Sequence, residues 1–153
     1  MLSDPRRDST HAGRAVRGSR LLLPLRVFLL AAIAVTVGVA LYMSRPWDDP
    51  ATYGAMTGWL PLAGFMLWAA SPLAMLAWSA AAFARVPLAM AVFAAGATAI
   101  AITGLHAYAG VAFFEPDAQG GLAFVFVPLV QWGGALCLGG ACLWLRRRDT
   151  SRR

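Results

Sequence analysis

Four apolar runs alternate with short polar segments along the chain, and each is long enough to cross a bilayer as a helix. The last run is the clearest. From Ala118 to Leu145 it carries no charge, and Arg146, Arg147 and Arg148 then close it. A helix rises about 1.5 Å per residue, so about 20 apolar residues suffice for a hydrocarbon core of about 30 Å. A guanidinium at the bilayer centre costs about 2.5–3.5 kcal/mol even on the lenient insertion scale, so the arginine triplet marks where the span stops. The same arithmetic places four spans at about 21–43, 59–83, 86–108 and 122–145. The fold class predicted is therefore an all-α integral membrane protein, a four-transmembrane-helix antiparallel bundle with both termini cytoplasmic.

The polar segments sharpen this reading. Residues 1–20 are rich in Arg, Ser, Gly and Asp without apolar periodicity, which predicts a disordered basic cytoplasmic tail, and residues 146–153 form a second basic tail. In the first span Pro24 lies early, and Arg26 in the second turn is expected to reach back to the headgroups along its own stem. A secretory signal is the competing reading of this region: a basic lead, the run Val27 to Val39, and Gly38 with Ala40 before a cleavage point. The long lead and the full-length apolar run favour a retained helix. Residues 44–58, with Arg45, Pro46, Trp47, Asp48, Asp49, Pro50 and Tyr53, have turn chemistry and form the first outer loop. Pro61 is expected in the first turn of the second span, where a missing N–H costs little. Pro72 falls mid-span instead, frees the carbonyl of Trp68, and predicts a kink that Ser71 partly satisfies.

Arg85 is the sole charge between the second and third runs, which predicts a tight inner hairpin with Pro87 opening the next helix. In the third span Ala91, Ala95 and Ala99 recur every fourth position and lead to Thr103. Such a ridge lets helix backbones approach closely, a main source of packing energy in lipid, and makes this helix the expected centre of the bundle. Rise per residue puts His106 about 31 Å from Arg85, at the outer interface. Residues 106–121 form the second outer loop, with Tyr108, Phe113, Phe114, Glu115, Asp117 and Gln119. The last span carries Pro128 early and Gln131 about 22 Å from Arg146. It also holds the glycine pairs Gly133/Gly134 and Gly139/Gly140, with Ala135 and Gly139 forming a second small-residue ridge.

Charge placement orients the chain. Every arginine except Arg45 lies in a tail, at Arg26 or at Arg85, all on one side, while Asp48, Asp49, Glu115 and Asp117 lie on the other. The Lys/Arg bias sets membrane orientation, so the arginine-rich side is expected to be cytoplasmic and the location a bacterial inner membrane, multi-pass with both ends inside. Composition agrees: 59% of residues are apolar and 13% charged, with a mean hydropathy of +0.64. The formal net charge of +6 does not imply nucleic acid, because no soluble domain presents it. Headgroup attraction of about 1 kcal/mol per residue is the better account. All thirteen basic residues are Arg, a bias of the kind a GC-rich genome produces. Cys137 and Cys142 lie near the cytoplasmic end of the last span, so a structural disulfide is not expected.

Chemistry is sparse. The candidate polar cluster is on the outer face: Trp47, Asp48, Asp49, His106, Glu115, Asp117, Gln119 and, deeper, Gln131. A cation site or proton relay is one reading of it, and ordinary solvated loops are the blander one, since one imidazole among loop carboxylates matches no ligand spacing. For Gln131, packing glue outweighs substrate contact, an interhelical amide bond in lipid being worth about 0.6–2 kcal/mol. The glycine pairs follow no strand and precede no Lys, so they read as packing or dimerisation surfaces. Absences exclude more. The inward cysteines rule out outward thiol oxidation, and His106 with His11 cannot build a bis-histidine haem site in one chain. The spans hold no carboxylate for ion-coupled export, and Ser71 and Ser79 lie at the wrong depth for His106 to activate them. No catalytic residues, metal or cofactor are expected. The leading expectation is a non-enzymatic accessory or subunit protein, partnered by the lipid bilayer and by a membrane protein or a second copy, through Ala91, Ala95, Ala99, Gly133, Gly134, Ala135, Gly139 and Gly140. The alternative is an oligomeric small transporter or channel with an acidic outer mouth, and an enzyme acting at the outer face is a third.

Overall fold

A long apolar sequence satisfies its backbone within the segment by forming helix, and the four apolar runs do so over their described residues. The computed structural model describes the backbone of residues 5–48, 50–53, 56–114 and 120–151, with side-chain surroundings over 20–48, 51–52, 58–114 and 122–151. Helix α1 runs Pro5–Ser44, α2 is the short Pro50–Tyr53, α3 is Met56–Phe83, α4 is Pro87–Ala109, and α5 is Gly120–Ser151. Among the described residues four helical stretches are long and apolar enough to cross a membrane: Arg20–Ser44, Gly58–Phe83, Pro87–Phe114 and Leu122–Ser151.

The helices run past the expected ends of the spans. The tail over 1–20, read as disordered, is helical from Pro5 onward. An apolar span supplies the nucleus, and each residue added to it gains a hydrogen bond without a new nucleation cost. Helix α1 stops at Arg45, which takes the left-handed conformation (φ 40°). Its N–H bonds the Leu41 carbonyl at 3.1 Å, and Asp48 N–H bonds the Arg45 carbonyl at 2.9 Å. Helix α3 begins before Trp59, so Pro61 lies inside it, past the first turn. The third span outruns its expected end at 108, continuing past α4 as a wider π-helical turn, Gly110–Phe114. Helix α5 likewise passes through the arginine triplet to Ser151. There the Arg148 guanidinium lies 3.6 Å from the centre of the Trp144 ring one turn back.

Two expectations are met at named bonds. Ser71 Oγ donates to the Trp68 carbonyl that Pro72 leaves free, at 2.8 Å. The reversal between α3 and α4 is a tight turn, with Val86 N–H bonding the Phe83 carbonyl at 3.1 Å and Pro87 opening α4.

Side-chain bonds between helices give the register. Gln131 reaches the Ile100 carbonyl and Cys142 the Ala89 carbonyl, so α4 and α5 run antiparallel. Trp132 reaches Ser71 and Arg146 reaches the Ala82 carbonyl, so α3 and α5 run parallel. Helix α1 packs on α3 and α4, α5 packs on both as well, and α3 touches α4. The central position expected for the third span is thus shared by α3 and α4. The main core joins Leu25, Leu29, Leu73, Leu76, Met90 and Phe93 with small residues such as Ala97 and Ala101. A second cluster of Ala40, Ala69, Tyr108 and Phe124 fills the end near Ser44, where Tyr108 and Phe124 stack with centroids 4.7 Å apart.

Candidate functional site

The outer polar cluster is only partly within the described residues. Asp49, Glu115, Asp117 and Gln119 lie outside them. Of the others, Trp47 is exposed in the turn after α1. Asp48 faces Arg45 at 3.8 Å across that turn. Arg45 in turn lies 5.8 Å from the centre of the Tyr42 ring, and Tyr42 packs on Phe113 of the π-helical turn with centroids 5.4 Å apart. His106 stands on the exposed side of α4, with no ion pair to Asp48 among the described residues. No three His, Cys, Asp or Glu gather to hold a metal ion among the described residues.

The better-built polar site lies deeper, where α4 meets α5. Gln131 is 4% exposed, and its amide nitrogen donates to the Ile100 carbonyl at 3.4 Å. Gly104 makes room for it, because a Cβ there would land on the Gln131 amide. This close approach is what requires glycine at 104. The other half of the amide is unmatched: Gln131 Oε1 is buried with no hydrogen-bond partner, as is the Tyr108 hydroxyl. Next along α5, Trp132 Nε1 donates to Ser71 Oγ at 3.0 Å, so Ser71 accepts from one helix while donating within its own. Beside Gln131 a groove of about 410 Å³ runs between α4 and α5, lined by Ala99, Thr103, Gly104, Val130, Gln131 and Gly134 among others. Ala99, Thr103 and Val130 are exposed, so the groove opens away from the core.

Small residues divide between two faces. The face of α4 that enters the core is Ala89, Met90, Phe93, Ala97, Ala101, Gly104 and Tyr108. Ala91, Ala95 and Ala99, the ridge expected to bring helices together, are all exposed. The reason is that α4 has small residues on both sides, and the side that also carries Met90, Phe93 and Tyr108 buries more apolar surface. On α5, Ala135 is buried and Gly134 faces Ile100, whose Cδ1 lies 3.3 Å from where a Cβ would stand. Gly133, Gly139 and Gly140 have nothing within 4 Å of that position.

At the opposite end Arg26, expected to reach back toward the headgroups, also has a partner within the bundle. Its Nε donates sideways to the Ala77 carbonyl of α3 at 3.2 Å, a bond worth more in an apolar setting than in water. Cys137 is exposed and Cys142 buried, both free.

Sequence reasoning missed Gly104, Thr103 as part of the groove, and the Trp132–Ser71 bond. The first was findable. Equal counts inward from Arg85 and from Arg146, taken as one level, set Gln131 opposite Ile100 and hence beside Gly104. No family model matches the chain, and neither the curated proteins nor the solved structures contain a match to it.

Proposed function

We propose that this chain is a small multi-pass membrane protein without catalytic chemistry of its own, an accessory or subunit protein that assembles with a membrane partner through the small-residue faces of α4 and α5. The observation that carries this is the exposure of Ala91, Ala95 and Ala99 on one side of α4. Within a membrane, close backbone approach at such residues is a principal way helices gain packing energy, and this chain leaves the strip uncovered. Exposed Gly133 and Gly140 extend small-residue surface onto α5. The arginine placement supports a bacterial inner-membrane location with both ends cytoplasmic.

The test uses substitutions that the isolated fold accommodates. Ala95 is exposed and a Cβ at Gly139 meets nothing, so Ala95→Leu and Gly139→Leu leave the packed helices intact while obstructing an approaching helix. The expected outcome is a detergent-solubilised mass above one chain for the native protein, falling toward one chain in either variant. A native protein that is a strict monomer with nothing co-purifying would refute the reading.

A further inference from the structure

We infer that the occupant of the α4–α5 groove and the adjoining alanine strip is a second copy of this chain, the two copies related by a two-fold axis along the membrane normal. The inference rests on the assembly reading above and specifies its partner. Three observations lead to it. The strip and the groove are one surface, because Ala99 and Thr103 belong to both. The groove is lined by a glutamine that is 4% exposed and whose amide oxygen has no hydrogen-bond partner. Thr103 is exposed at the groove's edge, and among the described residues its hydroxyl makes no hydrogen bond.

Depth decides in favour of a copy of the same chain. Gln131 bonds the Ile100 carbonyl and lies against Gly104, so its amide sits at the level of Thr103. Two chains inserted in the same sense and related by a two-fold along the normal keep every residue at its own depth. A donor and an acceptor on one surface at one level therefore meet across the axis twice, Thr103 of each copy against Gln131 of the other, as a self-complementary interface requires. The end torsion of a glutamine is broad, so the carbonyl can turn toward the groove mouth without leaving a rotamer, exchanging the long 3.4 Å bond to Ile100 for the one across the axis. Helix α4 of each copy then rests between α4 and α5 of the other. Its small side chains at 91, 95 and 99 allow that approach.

Cysteine crosslinking in native membranes tests this. In a Cys137→Ser, Cys142→Ala background, Ala95→Cys and Ala99→Cys sit near the axis, while Leu67→Cys sits on the exposed side of α3. Oxidation with copper phenanthroline should give a product of twice the chain mass at positions 95 and 99 and none at 67. Gln131→Met, which keeps shape and removes the amide from both copies, should weaken self-association in diluted liposomes by about tenfold to three-hundredfold, since two bonds are lost. Doubled product at 67 alone, or none at any position, would overturn the second copy. Unchanged self-association in Gln131→Met would overturn the amide's part in the seam. A product of some other mass at 95 or 99 would leave the assembly reading standing with a different partner, whereas a solubilised monomer with nothing attached would remove both.

Discussion

At the scale of the residue, Gly104 and Gln131 form one unit. An amide in an apolar setting needs a carbonyl partner, and it reaches Ile100 only because position 104 has no side chain. Gly104→Ala must push α4 from α5 or drive the amide from its place, an overpacking cost of about 1–3 kcal/mol. Gly64 is also helical, yet a Cβ there meets nothing within 4 Å. Gly64→Ala should be neutral or stabilising by up to about 1 kcal/mol, as helix propensity dictates. Unfolding titrations in mixed micelles compare the two, and equal losses would mean that the close approach at 104 is absent. Gln131 was singled out by the sequence because an amide among apolar residues is conspicuous. Gly104 carries no mark of its own in a run full of small residues, and only the equal counts from Arg85 and Arg146 across to the facing helix pick it out.

At the scale of the element, the proline effect was legible and the face assignment was not. Pro72 removes one backbone donor at a countable place, so the carbonyl it frees and the neighbouring Ser71 that serves it follow from local geometry. The core face of α4 does not follow from local geometry. Ala and Gly occur all round that helix, and the ridge at 91, 95 and 99 competes with Ala89, Ala97, Ala101 and Gly104 on the other side. Larger neighbours on the second side decide the matter. The π-helical turn over Gly110–Phe114 was equally hidden, because no residue type there demands it. Between elements, Ser71 accepting from Trp132 at 3.0 Å ties α5 to α3. A double-mutant cycle of Ser71→Ala and Trp132→Phe should return a coupling of about 0.6–1.7 kcal/mol. Strict additivity would show that the bond contributes nothing to holding α3 and α5 together.

At the scale of the whole molecule, four apolar runs and their order were plain from hydropathy alone, because a single segment satisfies its own backbone without water only as a helix. How the helices neighbour one another was not plain: the chain order implies antiparallel hairpins, but α5 also lies parallel beside α3, as the bonds from Trp132 to Ser71 and from Arg146 to Ala82 show. The proposed assembly needs an even number of crossings, with both chain ends on one side of the membrane, and the arginine bias makes that side the cytoplasmic one. Labelling with a membrane-impermeant thiol reagent on intact cells measures this most directly. In a chain freed of Cys137 and Cys142, Trp47→Cys in the turn after α1 should be labelled from outside, and Thr150→Cys near the end of α5 should be labelled only after the membrane is opened. Labelling of position 150 in intact cells with position 47 protected would contradict the account.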